Sequence, residues 1–401
     1  MNKIYKVAII GGGAAGLMCA TELLSGENAL CGKDVVILER CDRVGKKLVV
    51  TGNGQGNLSN ARISTENYSG NPAFVSCFLE QVKTLNPVKY LENLGIITES
   101  DESGRIYPVS RQANSVLDII RAYLASKNCT VITGFKAVKL VKKSEFIIVS
   151  ENGERVAAEK VVLAAGGKAA KQFGTDGTGY SLATAFCHKL TPLFPSLVQL
   201  KTEKEPIRGL KGIKLNAAVT LTDGNKFIKR ATGDFLFTDY GVSGNAVFKI
   251  SDKVACLKEP TIVADFLPDI SETDLKTILS NRIKQGFIPR GDILNGLVHK
   301  KLGETIVRMC GGDTAGVLNA VKSYKIKITG TLGFDYAQTT KGGIDTCDIT
   351  SETFESKLQN GLYITGEMLD VDGECGGYNL TFAFTSGIAA AKAIKAIKEN
   401  I

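Results

Sequence analysis

Apolar and polar positions change period several times along the chain, and each change predicts an element. Residues 6–10, KVAII, are continuously apolar after Lys6, the pattern of a strand buried on both faces. Residues 14–24, AAGLMCATELL, carry apolar side chains at helical spacing. Residues 33–40, KDVVILER, form a second buried strand that ends at Glu39. From 130 to 165 the pattern alternates as strands around an Asn152-Gly153 turn and closes in the apolar run 161–165. Past Thr191 it alternates again around an Asp223-Gly224 turn, and residues 272–323 turn amphipathic and helical. Residues 327–345 return as strand, and 360–394 read as a strand, a Gly/Asp-rich loop and a helix beginning near Asn379.

The predicted architecture is α/β. A Rossmann-like domain, opened by the strand–helix–strand of 6–40, is expected from 1–190 and 345–401, an inserted β domain from 191–265 and 325–344, and a small helical domain from 266–324. No internal repeat or low-complexity tract interrupts it.

The first strand and helix are joined by glycines. Gly11, Gly13 and Gly16 have G-x-G-x-x-G spacing, and Glu39 follows at the end of the next strand. The spacing has a physical reason at each position. Gly11 permits the tight turn, Gly13 lets backbone approach a pyrophosphate, and Gly16 lets helix and strand pack closely. The helix N-terminus, with Ala14 and Ala15, points N–H groups at phosphate, and Glu39 accepts hydrogen bonds from a ribose. The competing reading is a secretory signal, with Lys3 and Lys6 before an apolar run. Three consecutive glycines break that run, and the strand–turn–helix–strand order favours the nucleotide.

Further βαβ units do not follow. The loop 43–60, RVGKKLVVTGNGQGNLSN, is rich in Gly, Asn and Lys, the surface that a long phosphate-bearing ligand needs. With the antiparallel insertion near 130–160 and the C-terminal loop–helix, this pattern is similar to flavoproteins of the glutathione-reductase type. The C-terminal helix would aim its positive end at a flavin, where negative charge develops on reduction. The second glycine cluster, from Gly174, is read as a helix start near the flavin rather than a nicotinamide site.

The stretches GGGAAGL, GKKLVVTGNG, NLSN, GRIYPVSRQANSVLD, GDFLFTDYGVSGNAV and GLYITGEMLDVDGECGGYNL resemble the BaiN/YhiN-like bacterial FAD-dependent flavoproteins over essentially the whole chain. The resemblance implies bound FAD, a β-barrel-like inserted domain and a small helical domain. It differs at Gln55-Gly56, where that family usually has Arg-Cys. The expected cofactor residues are Gly11, Gly13, Ala14, Ala15, Gly16, Glu39, Arg40, Lys47, Thr51, Gly52, Asn53, Gly54, Asn57, Val138, Ala165, Gly166, Gly366, Glu367, Gly376, Gly377, Tyr378, Asn379 and Leu380. The resemblance offers two activities, reduction of C=C bonds in oxo bile acids and oxidation of small amines such as aminoacetone.

Composition narrows the field. Net charge is +8 over 401 residues with the lysines spread out, and there is no Trp, which disfavours a stable nucleic-acid partner. No apolar run is long enough to span a membrane. Ten Cys without C-x-x-C spacing suit reduced thiols in the cytoplasm. Two His leave no His-rich metal site and argue against a catalytic His. Flavin would carry the hydride chemistry, with NAD(P)H as a transient donor, so the protein must orient a small-molecule substrate and relay a proton. Arg105, Tyr107 and Tyr378 are the expected catalytic residues, with Arg111, Asp370, Asp372, Glu374 and Cys375 as further candidates. A non-catalytic flavin sensor and an RNA-modifying flavoprotein are the readings from other classes.

Overall fold

The structure is a computed structural model that describes residues 3–26 and 28–396. Two compact units emerge. One spans residues 1–194 and 339–401, and the other spans 195–338.

The first unit is built on a seven-stranded sheet among the described residues. Its strands are β1 (Ile4–Ile10), β2 (Val35–Leu38), β3 (Thr130–Ile132), β4 (Ala137–Lys142), β5 (Phe146–Ser150), β6 (Arg155–Leu163) and β7 (Leu362–Ile364). They run in the order β3-β2-β1-β6-β5-β4, with β7 on β6. The β3-β2-β1-β6 part is parallel. On its edge away from β1, strand β6 serves two partners: Arg155–Ala158 pair antiparallel with β5, and Val161–Leu163 pair parallel with β7. That division explains the sequence pattern, which alternates over 155–160 and becomes continuously apolar over 161–163, where both faces are covered.

Helix α1 (Ala14–Leu23) is buried at every position but its first. It is covered by the long C-terminal helix α2 (Tyr378–Ala396). A Cβ on Gly387 of α2 would stand 2.2 Å from the Ala15 carbonyl oxygen, so only glycine permits this approach. At the other end of the crossing, Lys395 Nζ donates to Glu22 Oε1 at 2.6 Å and to the carbonyls of Glu22 and Ser25 at 2.8 and 3.0 Å. The first and last helices of the unit thus form one layer on the sheet.

The second unit is a closed six-stranded barrel of Leu200–Thr202, Gly241–Ser243, Lys226–Phe237, Lys214–Asp223, Pro260–Asp265 and Tyr324–Thr331. The expectation of a separate helical domain at 266–324 meets a different arrangement. Leu275, Leu279, Leu302, Ile306, Val317 and Val321 from the helices share one apolar core with Val219, Phe235, Ile262 and Ile326 of the barrel. These helices are amphipathic because one face packs into the apolar core they share with the barrel.

All ten cysteines are free. Among the described residues no group of His, Cys, Asp or Glu is arranged to hold a metal, and no helix is long and apolar enough to cross a membrane.

Candidate active site

The glycine turn after β1 has the geometry that its spacing requires. Gly11 N–H donates to the Leu38 carbonyl at 2.9 Å, which ties the turn to β2. A Cβ on Gly16 would lie 2.0 Å from the Gly11 carbonyl oxygen, so helix and turn touch there. A Cβ on Gly13 would meet nothing within 4 Å. Gly13 is the N-cap of α1, no side chain caps the helix, and its first turn holds no acid. The first-turn N–H groups, with Ala14 and Ala15, therefore face open space beside the positive helix end, which suits a pyrophosphate.

Glu39 is 9% exposed at the end of β2. Its Oε2 accepts from Gly12 N at 2.8 Å and its Oε1 from Cys41 N at 2.7 Å. The carboxylate thus braces the turn and keeps lone pairs for a ligand. It lines a hollow with Arg40, Lys136, Ala137, Asp176 and Thr178. Arg40 Nη1 lies 2.5 Å from Asp176 Oδ1. Burial opposes the charge on Asp176, but bonds from Arg40 and Thr178 outweigh it and bring the carboxyl down to about 2. The glycine cluster from Gly174 therefore lines the same hollow as Glu39. Val138, expected at the cofactor, is 44% exposed on β4 next to Ala137, which lines the hollow with Phe135 and Lys136. Those residues and Asp176 escape a reading of the sequence, because nothing local marks them as neighbours of Glu39.

The loop 43–60 and the C-terminal segment meet at several points. Lys47 Nζ donates to Glu367 Oε2 at 2.7 Å, and Glu367 Oε1 accepts from Thr340 N at 2.9 Å. Thr51 is extended, and Gly52, Asn53 and Gly54 follow with φ of 57°, 56° and 84°. This left-handed run turns the backbone sharply at the expected cofactor loop. Asn57, with its amide oriented to satisfy both neighbours, accepts from Gly377 N and donates to the Ser59 carbonyl, both at 3.1 Å. Asn60 Nδ2 donates to the Gly376 carbonyl at 3.0 Å, and the Ser59 and Thr381 hydroxyls are 2.8 Å apart. Gly366 N donates to Ser386 Oγ at 3.0 Å, and Ala165 N, beside Gly166, donates to Met368 Sδ at 3.3 Å. Asn379 has its amide occupied. It exchanges bonds of 2.9 and 2.6 Å with Gly373, closing the loop at the start of α2, and Leu380 beside it is half-buried.

Two of the three expected catalytic residues share one strand. Arg105–Pro108 pairs antiparallel with Ser59–Asn60 on one side and Thr98–Ser100 on the other. Arg105 stands opposite Asn60, and Tyr107 opposite Glu99. Being two residues apart, Arg105 and Tyr107 face the same way. Tyr107 is 7% exposed, with its ring against Gly52 and the Arg111 guanidinium 4.2 Å above its centroid. Arg111 in turn donates to Glu99 Oε1 at 2.6 Å. Tyr107 is therefore a packed support beneath Arg111, and Arg105 is the more open of the pair.

Tyr378 opens α2 at 8% exposure, its ring 5.9 Å from that of Tyr68, whose hydroxyl donates to the Tyr378 carbonyl at 3.0 Å. Burial and Glu374 push its phenol up, while the positive charges of Arg105 and Arg62 pull it back. Arg62, two residues past Asn60, is a further cation at this place that no sequence motif singles out. Asp372 is buried and accepts from Thr339 Oγ1 at 3.2 Å, which makes it part of the framework. Asp370 is raised by burial, with a bond from Thr191 opposing the shift. Cys375 is half-buried just before Gly376.

The chain is similar to known proteins. The family described as HI0933-like protein Rossmann domain matches residues 5–393. A 3-dehydro-bile acid delta(4,6)-reductase of Clostridium scindens is 34% identical, over 97% of this chain and 98% of its own. A ribosomal RNA dihydrouridine synthase of Escherichia coli is 27% identical over 99% of both chains. Among solved structures, a 3-ketosteroid-delta4-(5alpha)-dehydrogenase from Rhodococcus jostii RHA1 has a TM-score of 0.51 at 15% identity, covering 98% of this chain and 97% of its own. A 3-ketosteroid delta1-dehydrogenase from Sterolibacterium denitrificans has a TM-score of 0.52 at 12% identity, covering 98% and 100%, and these two likenesses speak for the fold. With the open helix start at Gly13, Glu39 at its hollow and both chain ends meeting at one loop, the chain belongs to the HI0933-like Rossmann-domain family of FAD-dependent oxidoreductases.

Proposed function

We propose that this flavoenzyme reduces a C=C bond conjugated to a carbonyl, with an oxo bile acid or a similar steroid-like enone as substrate. The observation that carries the reading is the cluster at the C-terminal loop. Arg105 pairs with Asn60, which holds Gly376, and its charge reaches the buried phenol of Tyr378. A cation beside a protonated phenol is what such a reduction needs: one group to hold the carbonyl oxygen as negative charge grows, another to give a proton to the neighbouring carbon. The relatives' names support it from another side. A 3-dehydro-bile acid delta(4,6)-reductase and a dihydrouridine synthase act on different molecules, but both names describe saturation of a C=C bond conjugated to a carbonyl.

Bound FAD supplies the hydride chemistry. In this reading the turn Gly11–Gly16, Glu39 and Arg40 hold its ADP half. Lys47, Thr51–Gly54, Asn57, Ala165, Gly166, Gly366, Glu367 and Gly376–Leu380 hold the ribityl and flavin half. Arg105 binds the substrate carbonyl, Tyr378 holds the proton, and Tyr107 keeps Arg111 in place. NAD(P)H donates transiently, in the cytoplasm, where the ten free thiols stay reduced.

Anaerobic half-reactions test the proposal. The reduced enzyme is mixed with a 3-oxo-Δ4 bile acid, and reoxidation of the flavin is expected. Reoxidation by uridine in RNA alone would move the substrate class. Failure with every enone, while aminoacetone reduces the oxidised enzyme, would replace the proposal with amine oxidation.

A further inference from the structure

The strand that carries Arg105 has a second feature at its other end. Val109 N–H donates to the Ile97 carbonyl at 3.0 Å, which continues the pairing of Thr98 with Pro108 and Glu99 with Tyr107 by one step. Ile97 and Val109 thus stand opposite each other just past the strand ends, and with the alternation carried one step on by that bond they lie on the face of Arg105 and Tyr107. Both are open to solvent, Ile97 at 74% and Val109 at 52%. No other large apolar side chain among the described residues is more exposed than Ile97. Between them and Arg105 lies the flat guanidinium of Arg111, stacked on Tyr107 and fixed by Glu99.

We infer that the Ile97–Val109 pair is a subsite for the apolar ring system of the substrate, distal to the carbonyl that Arg105 holds. The inference rests on the enone reading above and adds what sets its specificity. Val109 lies four positions beyond Arg105, just past the strand's end, about 13 Å away at the usual strand rise. That reach exceeds a single-ring enone and suits a fused-ring skeleton. The surface between is also graded to match, with a cation at the reacting end, a planar stacked group in the middle and β-branched side chains at the far end. A cross-strand pair of Ile and Val beside an ordered Arg–Tyr stack offers a flat, rigid wall, so little ordering is required when an apolar body settles on it. A small conjugated ketone would use Arg105 and leave the pair uncovered.

The test compares Ile97→Ser, Val109→Ser and the double variant with the wild-type holoenzyme. Two substrates are used, a 3-oxo-Δ4 steroid and cyclohex-2-enone. Both positions are exposed, so folding and FAD content should be unchanged, and the flavin spectrum checks this. The half-saturating steroid concentration for flavin reoxidation is expected to rise about tenfold in the double variant, while cyclohexenone is unaffected. Equilibrium binding of the steroid to the oxidised holoenzyme, read by dialysis, should weaken by the same factor. Equal losses for both enones, or none for the steroid, would overturn the subsite. If the enzyme reduces neither enone, the proposed reaction falls, and the dialysis measurement alone still decides whether Ile97 and Val109 bind an apolar ring system.

Discussion

Lys47 and Glu367, 320 positions apart in the chain, form an ion pair of 2.7 Å. The second oxygen of Glu367 holds Thr340 N, so one carboxylate joins the loop after β2, the strand Thr339–Lys341 and the segment after β7. The pair is about one-fifth exposed on each side, and solvent screens part of its strength. Lys47→Met is expected to lower stability by about 1 kcal/mol and FAD affinity by a larger margin, because the loop that receives the flavin is released. Chemical denaturation of the apoprotein, set beside FAD titration, separates the two effects.

The glycines of the turn should divide into two classes. Gly13→Val places a side chain in open space, so the apoprotein should fold with an unchanged melting temperature and fail to take up FAD. Gly16→Val drives a side chain into the Gly11 carbonyl and should not fold. A Gly13→Val protein that purifies yellow with one FAD per chain would rule out the pyrophosphate site at α1.

Glu39 has two roles. The sequence suggests only the ribose, but the structure adds the Gly12 and Cys41 amides. Glu39→Ala leaves two N–H groups without their acceptor, so it should cost about 1–3 kcal/mol of stability even without cofactor, and weaken FAD further. Glu39→Gln retains one acceptor for the two amides and sets its NH2 against the other, so it should recover only part of the stability and less of the affinity. Melting curves with and without FAD give both numbers.

The parts legible in the sequence are those whose cause is local. The turn Gly11–Gly16 is written in six residues, since helix start, tight turn and close packing each exclude a Cβ within that span. The hairpin at Asn152-Gly153 and the start of α2 near Asn379 are local in the same way. What stays hidden depends on long-range contact. Asp176 joins the Glu39 hollow only because Arg40 reaches it from a distant part of the chain. Val138 is an apolar residue in a strand, and sequence alone does not tell which of Ala137 and Val138 turns inward. The helices at 272–323 look like a domain of their own because their amphipathicity is complete, yet its partner surface is the barrel. Tyr107 looks like an open clamp in a Pro-containing segment. The left-handed Arg111, with φ of 50°, folds its guanidinium back over the ring, and no residue pattern announces that.

His188 supplies a prediction with a definite sign. It is 3% exposed, and its Nε2 lies 2.8 Å from Ser356 Oγ. That oxygen already accepts from Leu358 N at 3.1 Å and Gln359 N at 2.9 Å. The hydroxyl proton is therefore directed at Nε2, which must be the bare nitrogen of a neutral ring. Protonating it would set two donors against each other in a buried site. Burial accordingly lowers the pKa of His188 from 6.5, with Asp348 opposing the shift. A base whose folded pKa lies below its unfolded value binds more protons when unfolded, so stability rises with pH across that window. The contribution is complete above about pH 6.5 and is lost as pH falls toward the folded value. Melting temperature followed from pH 7.5 to 5.5 should decline in the wild type, and His188→Gln should flatten the decline whatever its own stability. An unchanged slope in the variant would mean that His188 binds protons equally in the folded and unfolded states; a steeper decline would mean that the ring is charged when folded, and the bond to Ser356 would then have to run from the ring to the hydroxyl.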